Sequence, residues 1–534
     1  MLKKIFHFIR TKSINARSLS FFSALFIAIF CNTPFWKAVY RSTAGFTSLA
    51  LLTSMFIVLL AILTTFFHLF AFRYFFKIFL VTIFAINAFV VYFNVYNVVV
   101  DDVMIQTVFE TNTQEVKNIL NIKILLYFIL YCLVPSFFII SVKVNYKTFL
   151  KESFSKLIST LLLCAIVLVN SVFLFKQYSF FFRQNKYLYL LVPINYISSF
   201  IRYEIKAHRQ NSSDLIKITD DVKVETQKEK KVIVLVIGET ARAANFSLNG
   251  YERETNPLLK KESVVSFDNF YSCGTLTAVS VPCIFSHMER KEYVNSDKRY
   301  ENLLDILNVA NVDILWLEND GGCKGVCKRI KYKEDFDPKL KEKLCPEGDC
   351  YDEIAFPDLQ DKLKDIKKDT LIVFHQRGSH GPTYYKGYPK EFEIFKPTCR
   401  TNQFENCSQE EVINTYDNTI IYNDYILKST IDMLKNLKVQ AGMIYVSDHG
   451  ESLGEKGIYL HGIPYSFAPE EQKRVPFIVW FNRNLYNSLS INQKCLLSRS
   501  KNNYSHDNIF HSILSLFKVK TATYKDEFNI FKKC

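Results

Sequence analysis

The sequence predicts a membrane domain of five helices followed by an extracytoplasmic α/β domain. Long apolar runs are confined to the first third of the 534 residues, Lys and Arg are segregated among the loops between those runs, and the remainder carries short β-branched runs that end in acids and histidines. A chain of this length also exceeds what one hydrophobic core usually covers, so at least two structural units are expected. The boundaries are placed at 1–176 for the membrane domain, 177–230 for interfacial helices and a linker, and 231–534 for the extracytoplasmic α/β domain.

The apolar runs are Phe21 to Phe35, Leu49 to Phe72, Ile78 to Val100, Ile124 to Val142 and Leu157 to Phe175. A helix crossing a ~30 Å hydrocarbon core needs about 20 such residues, and most of the runs meet that length. The first is weakest, because Asn32, Thr33 and Pro34 interrupt it. A basic start followed by an apolar stretch also fits a signal peptide, but four further spans favour a retained anchor.

Loop charge sets the orientation. Lys3, Lys4, Arg10, Lys12 and Arg17 precede the first run, Arg73 and Lys77 lie between the second and third, and Lys143, Lys147, Lys151 and Lys156 lie between the fourth and fifth. These three segments belong on the cytoplasmic side. The loop DDVMIQTVFETNTQEVKN carries Asp101, Asp102, Glu110 and Glu115 against Lys117 and belongs on the other face. Lys37 and Arg41, in the first-to-second loop, are a mild exception. With five crossings the chain after residue 176 is external, which in a double-membraned bacterium is the periplasm of an inner-membrane protein.

Cysteine spacing agrees with an oxidising compartment. Of 13 cysteines, Cys31, Cys132 and Cys164 fall in spans. Eight others form close couples, Cys273/Cys283, Cys323/Cys327, Cys345/Cys350 and Cys399/Cys407, which read as local disulfides. Zinc coordination by Cys323, Cys327, Cys345 and Cys350 is the competing reading, and Cys495 with Cys534 is a candidate fifth bridge. The formal charge of +14 suits anionic headgroups. Nucleic acid is not expected as a partner of an extracytoplasmic membrane protein.

After the fifth run, YSFFFRQNKYLYLLVPINYISSFIRYEIKAHRQ mixes aromatic and basic residues, as interfacial helices and plain amphipathic packing segments both do, and 208–230 has the polar character of a linker. Beyond Lys231 the runs KVIVLVIGET, VDILWLEND, TLIVFHQRGSH and GMIYVSDHGE predict buried parallel strands. Their ends supply Glu239 and Thr240; Glu318, Asn319 and Asp320; His375 and His380; and Asp448, His449 and Glu451. Ligands of open α/β sheets gather at carboxyl strand ends, so these residues are expected to converge. Mixed carboxylate and imidazole ligands suit zinc. The segment CGTLTAVSVPC adds three hydroxyls, Thr275, Thr277 and Ser280, and a hydroxyl nucleophile needs a metal or a base to ionise.

The segments IGETARAANFSLNGYERETNPLL, CGTLTAVSVPCIFS, ENDGGCKGVC, HQRGSHGPTYYKGYP, YDNTIIYNDY and VSDHGESLGEKGIYLHGIPY resemble the bacterial phosphoethanolamine transferases that modify lipid A, a family that includes the mobile colistin (polymyxin) resistance enzymes. The resemblance extends over nearly the whole chain. It implies an alkaline-phosphatase/sulfatase-like fold and a two-step exchange of a phosphoethanolamine group. By the same resemblance Thr277 is the nucleophile, Glu239, Asp448, His449 and Thr277 are zinc ligands, and Lys324, His380 and His461 bind phosphate and move protons. The resemblance also places Asn319 and Asp320 near that pocket. His380 or His461 is expected to protonate the leaving group or to activate the acceptor.

The implied donor is phosphatidylethanolamine, and the acceptor is lipid A or another lipopolysaccharide group, a core sugar or a surface protein. The protein is expected to contact membrane lipids and to act as a monomer. In the acidic external loop the family pattern implies an ethanolamine site, with Thr111 and Glu115 matching and Thr107 standing where relatives carry Asn. The rival of the same fold is a membrane-anchored phosphoglycerol transferase or a sulfatase-like hydrolase. Those enzymes are poorer in cysteine couples, and the sulfatase modification motif is absent. A transporter would show intramembrane charges or broken helices paired in repeats, of which these runs show almost none, and the convergent acids and histidines lie outside the spans.

Overall fold

The computed structural model describes residues 13–42, 46–95, 98–174, 178, 187–225, 229–532 and 534. They pack as two units, Met1–Ile105 with Leu120–Arg202, and Gln106–Ile119 with Tyr203–Cys534. Lys3, Lys4, Arg10, Lys12, Phe175 and most of the aromatic segment before Tyr187 lie outside the described residues.

The first unit is built on α1 (Ala16–Cys31), α2 (Thr33–Ser42), α3 (Phe46–Leu69) and α4 (Phe76–Val95). The chain then passes through α5 (Asp102–Glu110) and α6 (Thr113–Ile119) to α7 (Ile122–Ser141), α8 (Phe149–Phe173) and α9 (Ile194–Ser212). Among the described residues four stretches are long and apolar enough to cross a bilayer: Leu49–Leu69, Phe76–Asn94, Ile122–Ser141 and Phe149–Asn170. α1 is apolar but shorter. Small side chains on its inner face, Ala16, Ala24 and Ala28, join Leu51, Leu59 and Leu63 of α3 in one core. Such close backbone approach is how apolar helices associate without a water-driven force. Leu130, Leu161, Leu168 and Val172 point outward, as lipid-facing residues do.

Asn32 explains the break in the first run. Its side chain is buried, donates to the carbonyls of Ile27 (3.0 Å) and Val192 (2.9 Å), and accepts from Val192 N (2.8 Å). The third run stops at Val95 rather than Val100. The last helix begins at Phe149, about two turns before the apolar run at Leu157, because Lys151, Glu152 and Lys156 continue it as a polar first segment. Ser13–Asn15 pairs in parallel with Lys143–Asn145, tying the start of α1 to the segment between α7 and α8.

The second unit is organised by a seven-stranded sheet. In chain order its strands are β1 (Lys231–Gly238), β2 (Val265–Phe267), β3 (Asp313–Glu318), β4 (Lys331–Lys333), β5 (Thr370–His375), β6 (Gln440–Ser447) and β7 (Phe477–Phe481). Their order across the sheet is β4-β3-β5-β1-β6-β7-β2, parallel from β4 to β6 and antiparallel at the β6–β7 and β7–β2 pairs. Alternation along β1 sends Ile233, Leu235 and Ile237 into one core and Val232, Val234 and Val236 into another. Burial on both faces is why this strand is a continuous apolar run.

Three helices recur below: α10 (Thr277–Ile284), α11 (Gln409–Lys435) and α12 (Asp507–Leu516). α11 starts at a reciprocal cap between Ser408 and Glu411 and buries Val412, Tyr416, Ile420, Leu427, Ile431 and Leu434 against one side of the sheet. Ile509, Phe510, Ile513 and Leu514 of α12 pack on the other.

The segment 208–230, expected to be a linker, is not free along its described part. It continues α9 to Ser212 and contributes two short strands, Leu215–Ile216 beside Arg299–Tyr300 and Lys223–Val224 beside Val519–Lys520. Glu301 accepts from Ile218 N and the Thr219 hydroxyl, which a polar-composition reading does not anticipate. Packing divides the chain inside α9 and places Gln106–Ile119 with the second unit. The four cysteine couples and Cys495–Cys534 are disulfides, so Cys323, Cys327, Cys345 and Cys350 are not thiolate ligands.

Candidate functional site

Strand register brings the polar strand ends to one edge of the sheet. His375 pairs with Ile237 on one side and Glu318 on the other, and Ser447 pairs with Gly238. Glu239, Asn319, Gln376 and Asp448 are therefore the next residues out of four adjacent parallel strands.

Thr277 meets this edge from α10. Leu276 before it is extended (φ −147°), so Thr277 opens the helix, and Cys273–Cys283 ties the approach to the helix. Its hydroxyl donates to Glu239 Oε2 at 3.1 Å and lies 3.3 Å from His449 Nε2. The flanking hydroxyls are otherwise engaged: Thr275 donates to the Ile463 carbonyl (2.8 Å), and Ser280 accepts from Gly274 N (3.0 Å). His506, fully buried, accepts from Cys273 N and contacts the Ser447 carbonyl, both at 3.0 Å, linking the α10 approach to the end of β6.

Glu239, Asp448 and His449 each offer one ligand atom within 4.8 Å of the others, and all three are fully buried. Burial, then the charge of Asp448, pushes the Glu239 carboxyl well above the usual carboxylate range. Burial pushes Asp448 up to about 7, and among the described residues its Oδ2 has no hydrogen-bond partner, though it lies 3.3 Å from His449 Nε2. His449 sits well below the ordinary histidine value through burial and the neighbouring His461. Its Nδ1 lies 3.0 Å from the Gly450 carbonyl, a contact that places the ring proton there and leaves the Nε2 lone pair facing the carboxylates. Buried oxygens with an orphaned acceptor and an imidazole lone pair form a donor set that fits a divalent cation such as zinc.

A second shared group, Glu239, Asp320 and His380, adjoins the first. Burial and the Glu239 charge raise Asp320 well above its usual value, and burial and His461 lower His380 well below its own. His461 goes the other way. Burial would lower it, but Glu451, whose Oε2 lies 2.8 Å from its Nδ1, and then Glu239 and Glu115 raise it. Lys324 is likewise lowered by burial yet raised overall by Asp320, Glu115, Glu110 and Glu239. His461 is 4.4 Å from His449 and 6.1 Å from His380 between ring centroids.

A cavity of about 120 Å³ continues from this edge, lined among others by Glu115, Asn319, Asp320, Asp349, Arg377 and His380. Asn319 spends its amide on the Cys350 carbonyl (3.2 Å) and Asp352 (2.8 Å), so it shapes the wall. Glu115 accepts from Asn112 at 2.6 Å. Thr107 and Thr111 do not line this cavity, and the Thr111 hydroxyl donates to the Thr107 carbonyl (2.7 Å).

Sequence reasoning passed over Asp352, whose two oxygens accept from Arg377 N and Gly378 N and shape the turn that presents His380. It also passed over Glu318 as a partner of His375, which lies 3.0 Å away at both carboxylate oxygens. The signal for the second was available, since both residues end adjacent strands. Asp352 gave none, as it follows a cysteine couple rather than a strand.

A sulfatase family model matches residues 231–519, and a model described as phosphoethanolamine transferase EptA/EptB matches 59–207. The chain is 36% identical over 525 residues to phosphoethanolamine transferase EptA of Salmonella typhimurium, covering 96% of this chain and 95% of that one. To phosphatidylethanolamine transferase Mcr-2 of Escherichia coli it is 33% identical over 531 residues, covering 96% and 97%. The integral membrane lipooligosaccharide phosphoethanolamine transferase A from Neisseria meningitidis matches with a TM-score of 0.94 at 33% identity, over 98% of this chain and 99% of that one. Fold and site define a membrane protein with a sulfatase-type catalytic domain. The chain belongs to the phosphoethanolamine transferase family of enzymes.

Proposed function

We propose that this protein moves phosphoethanolamine from phosphatidylethanolamine to lipid A, or another lipopolysaccharide acceptor, through a covalent intermediate on Thr277. The observation that carries the reading is the Thr277 hydroxyl at the start of α10, 3.1 Å from Glu239 and 3.3 Å from His449. The lipooligosaccharide in one relative's name supports the acceptor class.

Glu239, Asp448, His449 and the Thr277 oxygen would hold zinc, which when bound supplies the Lewis acidity that favours the alkoxide. Thr277 Oγ1 gives up its proton through its hydrogen bond to Glu239 and bonds to phosphorus, while the bond from phosphorus to the diacylglycerol oxygen breaks. That oxygen takes a proton from His461, whose imidazolium Glu451 supports. In the second half an acceptor oxygen bonds to phosphorus, the Thr277–phosphorus bond breaks, Thr277 recovers its proton from Glu239, and His461 regains its own from solvent. An acceptor hydroxyl would lose its proton to His380, which is neutral because its pKa is depressed, whereas an acceptor phosphate already carries charge. Lys324 opposes the charge that builds on the transferred group. Glu115, in the cavity wall, would pair with the ammonium of the headgroup.

We place five crossings in the inner membrane, the N-terminus in the cytoplasm and the catalytic domain in the periplasm, with the protein acting as a monomer. Pairing of Ser13–Asn15 with Lys143–Asn145 supports the fifth crossing. Those segments share a face only if an even number of crossings separates them, and α3, α4 and α7 without α1 make three.

The test is the intact mass of the full-length protein after incubation with zinc and phosphatidylethanolamine. An added phosphoethanolamine mapping to Thr277 is expected, and its absence in Thr277→Ala. Neither adduct nor diacylglycerol release from folded, zinc-loaded protein would overturn the donor assignment.

A further inference from the structure

Within the catalytic unit, α6 is fastened by two disulfide-closed loops. Asn118, buried at 9% exposure, is committed at both ends of its amide and at its backbone. Nδ2 donates to both oxygens of Asp349 (3.1 and 2.9 Å), Oδ1 accepts from Lys386 Nζ (3.3 Å), and the main-chain carbonyl accepts from Asn402 Nδ2 (2.7 Å). One turn earlier, Gln114 Nε2 donates to the Glu347 carbonyl (2.8 Å). Glu347 and Asp349 belong to the loop closed by Cys345–Cys350, and Asn402 to the loop closed by Cys399–Cys407. Short covalent loops hold their polar groups in place before the helix arrives, so little ordering remains to oppose the contact.

Glu115 lies three residues before Asn118, on the same face of the helix. At its end of α6 the fit is close: a Cβ on Gly321 would stand 2.8 Å from both Glu115 Oε1 and Asn112 Nδ2. Gly321 also has φ +113°, which favours glycine, so the chain after β3 leaves room for this carboxylate and no more. A helix of seven residues cannot hold its own register in water. Its attachment at Asn118 therefore sets where Glu115 points.

We propose that Asn118 and Asp349 form a latch whose role is to hold Glu115 in the cavity, making both positioning residues for the ammonium end of the donor headgroup. The inference rests on the assignment of Glu115 given above. It goes further in locating the determinant of donor affinity in a residue of the Cys345–Cys350 loop, far from Glu115 in sequence.

Steady-state kinetics on the full-length protein in detergent, with phosphatidylethanolamine as the varied substrate, test it. Asn118→Asp sets two carboxylates face to face, and Asp349→Asn removes the charged acceptor. Each is expected to raise the donor KM about tenfold, the worth of one charge-assisted hydrogen bond, with kcat nearly unchanged. The double variant Asn118→Asp/Asp349→Asn restores an amide–carboxylate pair in reverse and should return KM to within about twofold of the parent, a coupling that an unrelated loss of stability would not produce. Unchanged KM in the single variants, or joint loss of kcat and melting temperature without rescue in the double, overturns the latch. Glu115→Gln run in parallel separates the two levels. If it raises KM while the latch variants do not, the latch alone fails; if it leaves KM unchanged, the Glu115 assignment fails and takes the latch with it.

Discussion

Glu451 is the strongest influence raising the pKa of His461. Its Oε2 sits 2.8 Å from Nδ1, while Tyr384 donates to its other oxygen at 2.7 Å, so the carboxylate is held in position. Burial lowers the histidine, and Glu451 with Glu239 and Glu115 more than reverses that. If protonated His461 is the acid that assists the leaving oxygen, activity persists while pH stays below its raised pKa and falls as pH passes it. Glu451→Gln removes the largest raising influence, so the alkaline limb of the kcat–pH profile is expected to move to lower pH while Tyr384 keeps a bonding partner. A profile unmoved by the substitution assigns the proton to another group. The acids and histidines of this site were readable in the sequence because apolar strand runs announce where each strand ends. Asp349 was not readable, since its meaning comes from Asn118, 231 residues away, and no local pattern encodes such a pair.

At the scale of elements, hydrophobic length and period were informative and helix ends were not. The apolar runs marked α3, α4 and α7 to within a few residues, because a helix satisfies its backbone groups within one apolar segment of about that length. α8 starts earlier than its apolar part, since Lys and Glu favour helix as readily as Leu does. α1 is the informative case: Asn32 cuts it to a length of about 24 Å at 1.5 Å per residue, short of a full bilayer. Its strand pairing is the observation on which the proposed fifth crossing rests. With Ser13→Cys or Asn145→Cys in spheroplasts, a membrane-impermeant thiol reagent is expected to label both sites only after permeabilisation, and Glu110→Cys beforehand. Labelling of Ser13→Cys in intact spheroplasts would leave four crossings and reverse the assignment of one face.

For the molecule as a whole, the buried carboxylates couple the site to the stability of the fold. Without a cation Asp448 holds a folded pKa of about 7 against an ordinary value of 3.8. The folded state then binds more protons than the unfolded state between those values, so this group's contribution to stability is full below about pH 4 and is lost as pH rises toward 7. The loss is on the order of 2 to 4 kcal/mol, and His449, depressed rather than raised, contributes in the opposite direction over part of the same range. Asp448→Asn isolates the carboxylate from that opposing trend. In chelator-treated protein the variant is expected to melt above the parent at pH 8 and level with it near pH 4, because only the parent must ionise a buried acid. If Asp448 is a zinc ligand, as proposed, adding zinc should reverse the order at pH 8, since a ligand that binds only the folded state raises its melting temperature and the variant would lack one donor. A variant less stable than the chelated parent by the same margin at both pH values would show that Asp448 serves the fold through its hydrogen bonds to Thr240 and His449 rather than waiting for a cation.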